Sequence, residues 1–361
     1  MKILPYDERV NINHLSACFN DVSNSYKFYW FLAILDHLNE SESFDIKIDE
    51  LALRMISLAW YPLDFYKISF GRQDRFKNLA VLISSNMNVD SRPCAKSLYH
   101  QINKNPDSHL RDSLKAKINE TLKTYVISRF LRPFFYRELR GMRDHYVDKQ
   151  IKKLANGNLG YTPYSFSDDA IIVNSAWKAY LITNQQIIRS FIKWHLVKFL
   201  NKNNPNIIGI SEKIDQPKKR NLSNAKKFWK SFFLENSVRC IYSGEMLSKD
   251  KISLDHFIPW SYLVHDEPWN IIPTTKSINS AKGDSLPDLG TYFDHFCKLQ
   301  FAAMDFYRKR SELTRIESYF VFFNTNDLSN LTYTTFYEKM FAEFNNHVRI
   351  ARSIGFAKEF S

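Results

Sequence analysis

Apolar residues recur at helical spacing through most of the first two hundred positions. Ser25 to Leu38 (SYKFYWFLAILDHL) carries an apolar majority wide enough for a buried helix. Asp49 predicts an N-cap for a helix over Glu50 to Trp60, with Pro62 ending it. Further helical patterns cover about 72–85, 107–131 and 134–155, with Pro133 marking a break or kink. AsnGlyAsnLeuGly at 156–160, followed by Pro163, predicts a domain boundary. Ala170 to Val173 reads as a short strand and Trp177 to Leu200 as one strong helix, stopping at 201–205. A polar connector over 205–221 leads to a helix at Asn224 to Phe233. The period then changes. Strand and turn signals run from 238 to 275, and helical patterns return at about 290–313 and 334–351.

The pattern therefore predicts a mainly α-helical protein with a small α+β unit inserted in it. The expected divisions are a helical N-terminal domain at 1–160, a helical and basic connector at 161–236, the mixed unit at 237–290 and a helical C-terminal segment at 291–361. With 9 glycines and 12 prolines in 361 residues, and no repeating period, a linker-rich or solenoid chain is excluded. Aromatic residues are dense, 29 Phe, 19 Tyr and 7 Trp, which fits large side chains filling spaces between helices. Base-stacking platforms are the functional alternative.

Charge adds a partner. The formal net charge is +12, which favours a polyanion. Residues 129–153 hold eight cations against three acids, and residues 211–240 hold the same balance. The first run stays open between a solvated face and a phosphate-binding one. The second runs into the mixed unit, so Lys218, Lys219, Arg220, Lys226, Lys227 and Lys230 are expected to bind phosphate. Cys18, Cys94, Cys240 and Cys297 lack paired spacing, which predicts reduced thiols and a cytoplasmic protein. The opening MKILPYDERV lacks the apolar core of a signal peptide, and Tyr29 to Leu35 is too short to span a bilayer, so no membrane association is expected.

The candidate chemistry lies in CIYSGEMLSKDKISLDHFIPWSYLVHDEPWNIIPTTKSINSAKGDSLP, residues 240–287. SerGly at 243–244 predicts a turn, so that Arg239 to Leu247 folds as a hairpin. Ile252 to His256 reads as a short strand presenting Asp255 and His256 at its end. An irregular loop follows, then a second strand over Asn270 to Thr274, then a helix capped by Thr274 or Thr275 and carrying Asn279 and Lys282. This order brings Asp255, His256 and Asn279 together. A hard cation such as Mg²⁺ takes oxygen ligands, and Asp255 and Asn279 offer a carboxylate and an amide oxygen. His256 is the expected general base on water, since an imidazole ordinarily titrates near neutrality. Lys282, one helical turn after Asn279, is expected to hold a phosphate.

Here the sequence resembles the HNH endonuclease family, whose fold is the ββα-metal motif. The matching residues are AspHis at 255–256, Asn270 within WNIIP, and AsnSerAlaLys at 279–282. The resemblance implies His256 as general base, Asp255 and Asn279 as metal ligands, and Asn270 as a brace of the active-site loop. An Asn rather than a His stands in the third position, as in the HNH domains of CRISPR effector nucleases. That favours Mg²⁺, with Mn²⁺ as a substitute. Many HNH domains carry two CysXXCys pairs. Here Cys240 is present but Ser243 occupies the second position and the other pair is missing, so no structural zinc is expected. Packing, through Tyr242 and Trp260, is expected to hold the hairpin instead.

The flanking runs SYKFYWFLAIL, RFLRPFF and NLSNAKKFW resemble HNH-domain proteins from bacterial restriction-like or anti-phage loci. The expected function is a metal-dependent endonuclease hydrolysing DNA phosphodiester bonds, by nicking or double-strand cleavage, in defence against foreign DNA or restriction. The alternative is a non-cleaving nucleic-acid-binding or assembly subunit that keeps the HNH fold, and cleavage of structured RNA is a third reading. The sequence leaves open a dimer and a partner protein, an ATPase or sensor encoded nearby.

Overall fold

A computed structural model describes residues 4–20, 22–89, 93–123, 126–217, 220–249 and 251–361. The chain divides into two compact units, the first Met1–Pro205 with Ile210–Gln216 and the second Asn206–Gly209 with Pro217–Ser361. Among the described residues no helix is long and apolar enough to cross a membrane.

The first unit is a helical body with one small sheet. Its elements are α1 (Ile12–Ala17), α2 (Tyr26–Glu40), β1 (Asp45–Lys47), α3 (Ile48–Trp60), α4 (Phe76–Asn86), α5 (Ala95–Asn103), α6 (Ser108–Lys123), α7 (Asp144–Gly157), β2 (Tyr164–Phe166), β3 (Ala170–Val173), α8 (Ser175–Thr183) and α9 (Gln185–Asn203). Helix α2 is apolar around most of its circumference, so it is buried on most sides, against α3, α8 and α9. Strands pair antiparallel in the order β1-β3-β2. The Trp30 indole donates to the Tyr164 hydroxyl at 3.0 Å, and that hydroxyl donates to the Ile127 carbonyl at 2.7 Å, so two large polar aromatics are buried with their donors satisfied.

The second unit holds α10 (Ser223–Glu235), β4 (Ser253–His256), α11 (Trp260–Leu263), β5 (Ile271–Thr274), α12 (Lys276–Lys282), β6 (Leu286–Pro287), α13 (Leu289–Lys309), α14 (Glu317–Phe323), α15 (Tyr333–Ile354) and β7 (Glu359–Phe360). Strands β4 and β5 pair antiparallel, with Asp255 opposite Ile272 and His256 opposite Ile271. The pair is too small to bury a core by itself. Long helices supply the rest: Phe257 stacks on Phe296 of α13 at 4.0 Å, and Phe296 meets Phe344 of α15 at 5.0 Å. From α10 the Trp229 indole, and from α13 the Gln300 amide, both donate to the Ile271 carbonyl at 3.0 Å. Strands β4 and β5 are thereby fixed to a helical frame.

The predicted mainly helical class with a small α+β insert is what the structure shows. Several boundaries differ for local reasons. Asp49 lies in the first turn of α3 instead of capping it, because Ile48 N–H still joins the sheet by donating to Asp169 at 2.9 Å. The single helix expected over 177–200 is two, α8 and α9, parted at Asn184, whose side chain donates back to the Tyr180 carbonyl at 3.0 Å. Of the helix expected over 107–131, the described residues show Ser108–Lys123 as helix, and Arg129–Phe135, around Pro133, as a tighter 3-10 turn. Asn156–Gly160, the expected boundary, lies inside the first unit.

Candidate active site

The ββα order assembles the site. Thr275 accepts a hydrogen bond from the Ile278 N–H and so caps α12, which leads from β5 back across β4. Asp255 and His256 end β4, Asn270 closes the 3-10 turn Pro268–Asn270 just before β5 rather than opening the strand as expected, and Asn279 and Lys282 lie one turn apart on α12. All five fall in the second unit.

Asn270 is fully buried and spans the loop. Its side-chain oxygen accepts from the Ile258 N–H at 2.8 Å, and its amide donates to the Ile258 carbonyl at 2.9 Å. Its own carbonyl accepts from the Phe257 N–H at 2.8 Å. Residues 257–258 are thus clamped at three points. The Asn279 amide donates to Ser253 Oγ at 2.7 Å and to the Leu254 carbonyl at 3.0 Å, which ties α12 to β4 and commits the nitrogen end of the side chain. The oxygen end is then the one able to accept a hydrogen bond or to coordinate a cation.

Asp255 is 3 % exposed. Its Oδ2 accepts from the Tyr242 hydroxyl at 2.7 Å and lies 3.1 Å from Lys282 Nζ. Burial, then the Asp255 charge, push the Tyr242 hydroxyl well above its usual pKa, so it remains a donor. Lys282, expected to hold a phosphate, is found paired inside the fold. Its ammonium is fully buried, donating to the His256 carbonyl at 2.8 Å and neutralising Asp255. A buried carboxylate needs a partner, and helical spacing puts Lys282 within reach of it.

His256 is also buried, and its Nε2 lies 2.9 Å from Asp266 Oδ1. The other oxygen of Asp266 accepts from the Asn221 backbone N–H at 3.0 Å. Burial pushes the Asp266 carboxyl up, but the hydrogen bond and charge of His256, the Asn221 N–H and the Arg220 charge outweigh it and hold it below the usual carboxylate range. Facing a carboxylate oxygen, Nε2 is the ring nitrogen that donates in this pair, and Nδ1 is the nitrogen left outside it. Asp266 escaped the sequence reading because it sits in an irregular loop, where no period marks it. Neighbouring His265 packs its ring on Trp269 at 5.0 Å.

The basic approach is sorted by its surroundings. Arg220, Lys226 and Lys230 line a cleft of about 680 Å³ together with Lys249, Ser253, Leu254 and Asn279. Lys227 is exposed on the neighbouring face of α10 and does not line it. Lys218 and Lys219 lie outside the described residues. Lys213 belongs to the first unit and is fully buried, where desolvation lowers its pKa to about 7. It is no part of an exposed ramp. Lys249 is the cation that sequence order did not single out.

The predicted hairpin at Arg239–Leu247 is present in short form, with one bridge, Arg239 with Met246, closed by Gly244 at φ +72°. Cys240 is buried and its sulfur hydrogen-bonds with Thr274 Oγ1 at 3.2 Å. Tyr242 packs edge-on against Tyr292 at 5.0 Å and Phe360 at 5.3 Å, so aromatic packing from α13 and β7 holds the turn.

No curated protein and no solved structure matches the chain. Residues 240–288, the stretch from Cys240 through α12 and β6, match the family model for HNH endonuclease. The protein therefore carries an HNH endonuclease domain, and with it a nuclease fold, inside a larger and mainly helical chain.

Proposed function

We propose that this protein is a divalent-metal-dependent endonuclease that hydrolyses DNA phosphodiester bonds, with His256 as general base and Asp255 and Asn279 as metal ligands. The observation that carries the reading is the His256–Asp266 pair at 2.9 Å, set at the end of β4 beside Asp255 within the HNH match. The donor set fits a hard cation. Asp255 supplies carboxylate oxygen, and Asn279, its nitrogen committed to β4, supplies amide oxygen. Such an ion, Mg²⁺ or Mn²⁺, stabilises charge on the phosphate and the leaving 3′ oxygen when bound.

The chain's own residues do the rest. Asp266 keeps the proton on Nε2, so Nδ1 takes a proton from the attacking water. The resulting imidazolium is stabilised by the Asp266 carboxylate. Asn270 holds the backbone at 257–258 and so the ring's position. Arg220, Lys226, Lys230 and Lys249 line the cleft that reaches Asn279, and a DNA strand is expected to follow it. One such site cuts one strand. A double-strand break then requires a dimer or two successive nicks.

We place this activity in restriction or defence against foreign DNA in the cytoplasm, on the likeness of the flanking runs to proteins of such loci. Supercoiled plasmid, incubated with pure protein and Mg²⁺, should be nicked by the wild type and left intact by His256→Ala. Equal cleavage by the two proteins would sink the assignment. One observation favours a second reading, a nucleic-acid-binding subunit that does not cut: Asp255 is buried and already paired with Lys282. That reading requires DNA binding with no nicking under Mg²⁺ or Mn²⁺, and a host phenotype unchanged by Asp255→Ala.

A further inference from the structure

The first basic run, left open between a solvated face and a phosphate-binding one, is resolved by what its acids do. Arg129 hydrogen-bonds both Asp144, at 2.8 Å, and Asp148, at 3.3 Å. One buried-side arginine thus consumes two of the three acids of the run, and the Asp144 carboxyl is held below its usual range by that contact first. Arg132, Arg137, Arg140, Arg143, Lys149 and Lys153 are exposed, and among the described residues none has a carboxylate within ion-pair distance. Glu138 is exposed among them, and Asp144 and Asp148 stay 66 % and 40 % exposed while sharing Arg129, so the cations of the run outnumber its acids.

The scaffold under these cations is rigid. Phe130, Leu131, Phe134 and Phe135 are buried on one side, and Val147, Ile151 and Ala155 form the buried stripe of α7. His145, Lys149, Lys152 and Lys153 therefore occupy the outer face of α7, extending about 12 Å along its axis. Tyr136 and Tyr146 are 71 % and 56 % exposed, in a chain whose aromatic residues are mostly interior. Four arginines in this set matter, because a guanidinium binds phosphate oxygens bidentately and an ammonium does not. A charged face kept only for solubility would intersperse both signs.

We propose that this face of the first unit, built on the 132–143 turn and the outer side of α7, is a docking surface for the phosphodiester backbone of duplex DNA. The inference rests on the reading of the protein as a DNA nuclease and adds an anchor outside its nuclease domain. Contacts of this kind bind without reading sequence, and they raise the local concentration of substrate for a site on the same chain.

The test uses full-length protein in a His256→Ala background, so that bound DNA is not cut, and a fluorescent 30-base-pair duplex. Arg137→Glu, Arg140→Glu and Lys149→Glu together should weaken binding by about tenfold or more near 0.1 M salt, and lower the slope of log affinity on log salt by about two to three. Lys77→Glu, Lys104→Glu and Lys198→Glu, an equal charge change elsewhere on the first unit, should weaken binding less and leave the slope near its starting value. Thermal melts of both variants control for folding. Equal losses in the two variants, or unchanged duplex binding in the first, overturn the proposal. So does a loss confined to structured RNA or to phosphatidylserine vesicles. Plasmid nicking by the wild type is scored separately: nicking without a patch effect removes this surface and keeps the nuclease, whereas a patch effect without nicking does the reverse.

Discussion

Asp266 occupies the position on which the proposed chemistry turns, and its two oxygens are committed in different directions. One faces His256 Nε2 and the other accepts from the Asn221 N–H. This makes substitution informative. Asp266→Ala removes the acceptor and should lower the single-turnover cleavage rate by roughly 10–100-fold, with little change in KM. Asp266→Asn should do no better. Its oxygen stays on the Asn221 N–H, so its amide turns a donor toward Nε2 and selects the tautomer that blocks Nδ1. Single-turnover rates at saturating DNA check this, and wild-type rates in both variants would remove Asp266 from the mechanism. The placement of Asp255, His256 and Asn279 was legible in sequence, since they sit at fixed offsets set by strand, loop and helix. Lys282 was legible as a residue, but its partner was not. Spacing gave its face of the helix, whereas burial, which spacing does not report, decided that it pairs with Asp255.

At the level of elements, the strand–loop–strand–helix order was readable because alternation, proline loops and a Thr cap each mark themselves locally. Hydrogen bonds across distance are what sequence leaves out. The expected hairpin is present in short form, with the Arg239–Met246 bridge and the Cys240–Glu245 and Leu247–Val238 backbone bonds, and Tyr242 at its turn is held by Asp255, Tyr292 and Phe360. Asn184 likewise parts α8 from α9 through a side-chain bond that periodicity does not register. Asn270 shows how an element is positioned by a single residue. Asn270→Ala leaves the Ile258 N–H and carbonyl unpaired in a buried place, at about 1–3 kcal/mol for each group. Urea melts should show that loss. Cleavage measured well below the melting temperature should fall as well, because the loop that follows His256 loses its clamp. Full stability with full activity would mean that the loop is held by other contacts.

The whole molecule has two units, each with its own aromatic interior, and a charge pattern that no tally of its net charge conveys. In the second unit the Asp255 charge is neutralised from within by Lys282. Asp255 thus has a charge partner within the fold, and under the proposed function metal removal should separate activity from stability. EDTA should abolish plasmid nicking while leaving the melting temperature of the wild type within about 2 °C, since an ion that contributes little to folding leaves little linkage to lose. Lys282→Met removes that internal compensation and strands a buried carboxylate, at a cost of about 3–5 kcal/mol. In that variant a divalent ion becomes the remaining source of positive charge beside Asp255. Its melting temperature should consequently rise with added Mg²⁺, which the wild type's should not. Unfolding of the wild type by EDTA, or a Lys282→Met protein as stable as wild type and indifferent to Mg²⁺, would show that the Lys282–Asp255 pair does not substitute for the metal.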